Sequence, residues 1–147
     1  MNRHPTYDDV HLILRLYELR REEKMRQARA WFASSFKVRT LEEYTALCPP
    51  GSDQDAYFRM VVTYWDMVAS FITAGVLNED LFFQSGNELL FVWERVRDLV
   101  PVWRDRLKNP SIAKNLETVA QSFIKRFESL GPEAYPAFSA MVRGTAA

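Results

Sequence analysis

Apolar residues recur along most of this chain at alternating spacings of three and four. Between 110 and 130, Ile112, Leu116, Val119, Phe123, Phe127 and Leu130 fall on one side of a 3.6-residue helix. Between 79 and 107 the same period aligns Phe82, Gly86, Leu89, Trp93, Val96, Val100, Trp103 and Leu107. The stretch 53–74 inverts the pattern. There the polar residues Arg59, Thr63, Asp66, Ser70 and Thr73 form a narrow stripe and nearly everything else is apolar. A helix with so thin a wet face is expected at the centre of a bundle. No segment keeps a period of two, so no strand is predicted.

The punctuation agrees. Thr6 to Asp9 and Thr40 to Glu43 carry the capping-box spacing, in which a threonine and an acid three residues later satisfy each other's backbone N–H groups. Ser52 with Asp55, Asn78 and Asn109-Pro110 are further helix starts, while Gly75, Gly131 and the run Cys48-Pro49-Pro50-Gly51 are stops. The predicted helices are 7–36, 41–47, 53–74, 79–107, 110–130 and 132–142. The expected fold is all-α: a single domain over 1–147, a bundle of five to six helices with a long N-terminal one. Pro101 should kink or restart its helix. Gly86 should admit a neighbouring helix at close range.

The first predicted helix would span about 45 Å, more than one face of a domain this size needs. Its early turns are apolar on two sides, with Val10, Ile13, Leu14 and Tyr17 on one and Leu12, Leu16 and Leu19 on another. One side can face the core; the other calls for a partner. Phe91 and Val102 fall on the outer face of 79–107. Leu12, Leu16, Leu19, Phe91 and Val102 are therefore the candidate interface, and a homodimer or another protein is the expected partner.

Composition narrows the chemistry. A chain of 147 residues that is 48% hydrophobic can bury a core without disulfide or metal staples. Cys48 is the only cysteine, so no internal disulfide forms and a cytoplasmic setting is expected. The polar start shows no secretory signal. The apolar stretch 60–77 is long enough for a membrane span, but Asp66 at its middle argues for a buried helix instead. His4 and His11 are the only histidines and stand in no ligand motif. No nucleophile elbow or phosphate-binding glycine loop occurs, so no cofactor is expected. Arg59, Thr63 and Asp66 form the best polar site for a ligand or a reaction, because polar groups on a mostly buried helix need partners.

Net charge is zero, yet locally uneven: residues 20–39 carry seven bases and two acids, and 53–98 carry three bases and eight acids. Arg20, Arg21 and Lys24 make a basic face that could meet phosphates. Acids at 18, 22 and 23 dilute it, and the acidic half offers it a partner within the chain or between subunits.

Gly75, Leu77, Glu79, Leu81, Gly86, Trp93, Pro101 and Arg106 stand in an order that resembles a family of small, all-helical bacterial proteins catalogued as a domain of unknown function. The resemblance is strongest over 75–106 and looser over the first helix. It implies a helical fold and no particular chemistry. A non-enzymatic interaction module is the leading expectation, ahead of a nucleic-acid-associated protein or a ligand or enzyme domain around Arg59 and Asp66. At about 150 mM salt no sub-micromolar binding to duplex or single-stranded DNA is expected by titration; binding that Arg20→Glu/Lys24→Glu abolishes would reverse that order.

Overall fold

The all-helical expectation holds. The computed structural model describes residues 3–144, and among these it has no strand and the helices α1 (Tyr7–Arg20), α2 (Glu23–Ser35), α3 (Leu41–Leu47), α4 (Asp53–Thr73), α5 (Glu79–Phe83), α6 (Glu88–Val96), α7 (Val100–Arg106), α8 (Lys114–Leu130) and α9 (Ala134–Arg143). None of the described helices is long and apolar enough to cross a membrane. Three of the starts read from the sequence carry their bonds. Thr40 and Glu43 exchange side-chain contacts with each other's N–H groups at 3.1 Å. Ser52 accepts from the Asp55 N–H, and Asn78 from that of Leu81.

Helix α4 lies at the centre, packed against α2 and α8 and touching α6. Phe58, Val61, Trp65, Val68, Ala69 and Ile72 are its buried residues. They join one apolar cluster with Leu16 of α1, Phe32 of α2, Leu89 and Trp93 of α6 and Phe123 of α8. Burying a side chain of this size stabilises the fold by about 1.5–3 kcal/mol each. Phe36 and Phe58 sit 5.0 Å apart between centroids, and Trp103 meets Tyr44 edge-on at 5.2 Å.

The long N-terminal helix and the count of five to six helices are corrected, because three predicted helices break or shorten. The span 7–36 ends at Arg20 and restarts at Glu23. Glu22 adopts an extended backbone (φ −58°, ψ 145°) and its own carboxylate caps the new helix by accepting from the Met25 N–H at 3.0 Å. Glutamate is an uncommon cap, so the restart looked like continuing helix. The span 79–107 divides into α5, α6 and α7. Gly86 lies at the first division, and a Cβ there would fall 2.3 Å from the Phe82 ring. The glycine makes room for a ring of the preceding turn, not for a neighbouring helix. Pro101 opens α7 within its first two positions, where its missing donor costs no helical bond. The last helix before the C-terminal one starts at Lys114, not 110. Asn109 accepts from the Ser111 N–H and hydroxyl in a local turn, and Ala113 takes a left-handed φ of 53°. Leu107 lies just past the end of α7 and Leu130 is the last residue of α8, and both of these members of the predicted stripes are exposed.

Two buried charges join α6 to both ends of the chain. Glu94 is fully buried and accepts hydrogen bonds from the Tyr135 and Ser139 hydroxyls of α9, each at 2.6 Å. Burial, with that bond to Glu94 second, pushes the Tyr135 phenol up to about 12, so it stays a donor. Arg95, also buried, donates to the carbonyls of Phe32 (3.1 Å), Ala33 (3.2 Å) and Phe36 (2.7 Å) at the end of α2, and to that of Val142 (2.6 Å) at the end of α9. The Phe32 carbonyl also accepts from the Phe36 N–H, and all four lie at the negative end of a helix dipole. Arg95→Met keeps much of the aliphatic bulk but removes the donor that these carbonyls share. It should lower the unfolding free energy by about 2–4 kcal/mol in urea titration, with no change in m.

Candidate functional site

Helix α1 is fixed firmly on its inner side. Asp9, 1% exposed, accepts both Arg3 guanidinium nitrogens at 2.7 Å, the Thr6 N–H at 2.7 Å and the Asn78 N–H at 2.8 Å. The Asn78 amide donates back to the Arg3 carbonyl at 2.5 Å, which ties the chain's beginning to the turn between α4 and α5. Farther along, the Tyr64 hydroxyl of α4 donates to the Leu16 carbonyl at 2.6 Å, and Arg29 of α2 donates to that of Arg20 at 3.2 Å.

The outer side of α1 is apolar and open. Tyr7 is 77% exposed, Val10 39%, Leu14 57% and Tyr17 48%. These four lie on one face, which makes it a candidate docking surface by the ordinary logic of exposed apolar patches.

The residues singled out from the sequence are distributed differently. Leu16 is in the core and Leu12 half-buried, because α4 takes the side of α1 that carries them; Leu19 and Val102 are exposed on separate elements. Phe91 is half-buried, with the Arg95 guanidinium 4.6 Å above its ring. The interface candidates are thus not brought together.

The polar stripe of α4 does not converge either. Arg59 is exposed and pairs with Asp55 at 3.5 Å, and the Thr63 hydroxyl donates to the Arg59 carbonyl at 2.5 Å. Asp66 accepts from the Leu116 N–H at 2.9 Å, capping α8, whose own N-terminal residue Ala113 has no side chain able to do so. Asp66 and Arg59 therefore serve different elements. Cys48 is buried, and desolvation, with Asp55 adding, pushes its thiol up to about 11.

On the basic face, Glu88 of α6 takes Arg29 through two bonds of 2.7 Å, and Arg20 lies 3.7 Å from it. The basic and acidic halves thus pair within the chain. Arg21 lies over the Tyr17 ring at 5.6 Å, and Lys24 is exposed. Two concavities flank this ion cluster. One, of about 440 Å³, lies between α2 and α6 beside Phe32 and Phe91. The other, of about 260 Å³, lies between α1, α4 and the start of the turn after α5, with Trp65 and Arg20 in its wall. Sequence reading missed it because its residues come from positions 13 to 85 and share no spacing. Among the described residues no group of three or more His, Cys, Asp or Glu side chains is placed to hold a metal ion.

The model of one protein family matches residues 5–123, from the approach to α1 through most of α8. The chain belongs to that family, DUF4760, a domain of unknown function. No curated protein and no solved structure matches it. The DUF4760 match reaches well beyond 75–106 and includes α1 with its outer face. Helix α9 lies past its end, so the contacts of Glu94 and Arg95 with α9 join the matched region to the segment that follows.

The anchoring of α1 should be pH-sensitive. The Arg3 hydrogen bonds, helped by the Thr6 and Asn78 N–H groups and opposed by burial, hold the Asp9 carboxyl well below the usual carboxylate range. A depressed folded-state pKa gives stability that is present above the unfolded value near 4 and is lost as pH falls toward the folded one. Urea titrations should show unfolding free energy declining from pH ~4 to ~2, with a shallower decline in Asp9→Asn.

Proposed function

We propose that the chain is a single helical domain whose role is association, not catalysis, and that α1 docks antiparallel against α1 of a second copy. The observation that carries this is the exposed stripe Tyr7, Val10, Leu14 and Tyr17. Its spacing of three, four and three reads the same in either direction. A two-fold axis near residue 12 therefore sets Tyr7 against Tyr17 and Val10 against Leu14, the self-complementarity that an isologous contact requires.

The stripe lies within the part of the chain shared with the DUF4760 family. The buried cysteine fits a reducing compartment, and the cytoplasm is the one we propose. Engagement of Arg20 and Arg29 by Glu88 favours association over phosphate binding. Helix α1 is about 21 Å long, which puts an α1–α1 contact near the lower limit of about 1,000 Å² for a specific interface.

A dimer of micromolar affinity is therefore expected. Sedimentation velocity across about 1–100 µM should show the 17.2 kDa chain giving way to a species of twice that mass. Tyr7→Glu/Val10→Glu should remain monomeric with unchanged helical circular dichroism. A wild-type chain that is monomeric at the top of this range, or a double variant that still dimerises, overturns the proposal.

A further inference from the structure

His11 borders the outer stripe of α1. It follows Tyr7 by four positions and precedes Leu14 by three, so at 3.6 residues per turn it stands beside both on the helix surface. The residue is exposed, and its ring packs against that of Tyr7, with 4.5 Å between centroids and a tilt of 55°. With Tyr7, Val10, Leu14 and Tyr17 as the a and d positions of an apolar seam, His11 takes an e position, at the margin where charged side chains of paired helices meet. Asp8 and Arg15, the nearest charges on α1, take b positions and turn away from the seam. The elements packed against α1 reach its inner side instead. Their charged groups Arg29 and Glu88 gather at Arg20, and Arg3 is held by Asp9.

We infer that His11 is a pH sensor for the association of α1 with α1 of a second copy; the inference rests on the antiparallel pairing proposed above. A two-fold axis across antiparallel helices puts the same flank of each on one edge of the contact. With that axis near residue 12, position 11 of one helix stands beside position 13 of the other. Each His11 is then within two positions of the partner's His11 and within one of the partner's Leu14. The partner's Glu18, the nearest acid at an e position, is five positions away, too far to offset the closer like charge. Pairing thus opposes a charged imidazole twice, through the partner's ring and through the water that Leu14 displaces. Histidine is the side chain whose charge changes between about pH 5 and 8. The monomer therefore binds more protons than the dimer, and association weakens as pH falls through that range. Above it both rings are neutral, and each extends the seam together with the Tyr7 ring it stacks on.

Sedimentation velocity at about pH 7.5 and about pH 5.5, across the same range of chain concentration, tests this. The dimer dissociation constant should rise by about tenfold or more at the lower pH. Helical circular dichroism should be equal at both, because the lower value still lies above the range in which the Asp9 anchor of α1 is lost. His11→Gln puts a polar side chain that does not titrate at the same exposed position, and it should dimerise equally at the two pH values. His4→Gln removes the other histidine and should keep the wild-type difference. A wild-type dimer whose affinity is unchanged or higher at the lower pH overturns the inference and leaves the α1–α1 pairing standing. So does a His11→Gln chain that still weakens, or a His4→Gln chain that no longer does. A wild-type chain monomeric at both values overturns the pairing and the inference together.

Discussion

A cation buried without a carboxylate sets the plan of this fold. Arg95 is held by carbonyl dipoles at the ends of two helices that lie far apart in the chain, and by the face of the Phe91 ring. Burial pulls its pKa below the ordinary arginine value, and the compensation is geometric: α2 and α9 must both end where the guanidinium can reach them. Glu94, the adjacent residue, faces α9 hydroxyls instead of its cationic neighbour in sequence. Two consecutive charges on α6 therefore hold different partners. The ends of α2 and α9 are thereby fixed against α6.

What was legible was the period and the punctuation. Helical type, the central place of α4, the caps at Thr40, Ser52 and Asn78, and the restart at Pro101 all rest on local spacing, which a single sequence displays directly. Interruptions governed by distant groups were not legible. Glu22 caps a helix in a position where glutamate ordinarily continues one, and Gly86 is dictated by a ring four residues earlier whose orientation depends on the core. For the candidate site, the sequence exposed two apolar sides of the first helix but could not say which one α4 would cover. It chose Leu12, Leu16 and Leu19, while the open face is Tyr7, Val10, Leu14 and Tyr17. The cavity at Arg20 and Trp65 is walled by residues of α1, α4 and α5, an assembly with no linear signature.

The polar residues of α4 illustrate how a suspected site can be structural. A stripe on a mostly buried helix does need partners, as the sequence suggested, but the partners are groups of the fold itself. Asp66 meets the Leu116 N–H, and Thr73 donates to the Asn115 side chain at 2.7 Å. Both contacts fall on the first turn of α8.

That first turn carries a further consequence. The signal that starts α8 is not in α8: its boundary residue Ala113 is left-handed and without a capping group, and the acceptor comes from a residue fifty positions earlier. A peptide cut from the C-terminal third would lack its own initiation point and form little helix in isolation. In the chain's order of synthesis, α4 and its Asp66 carboxylate precede the segment whose first turn they cap.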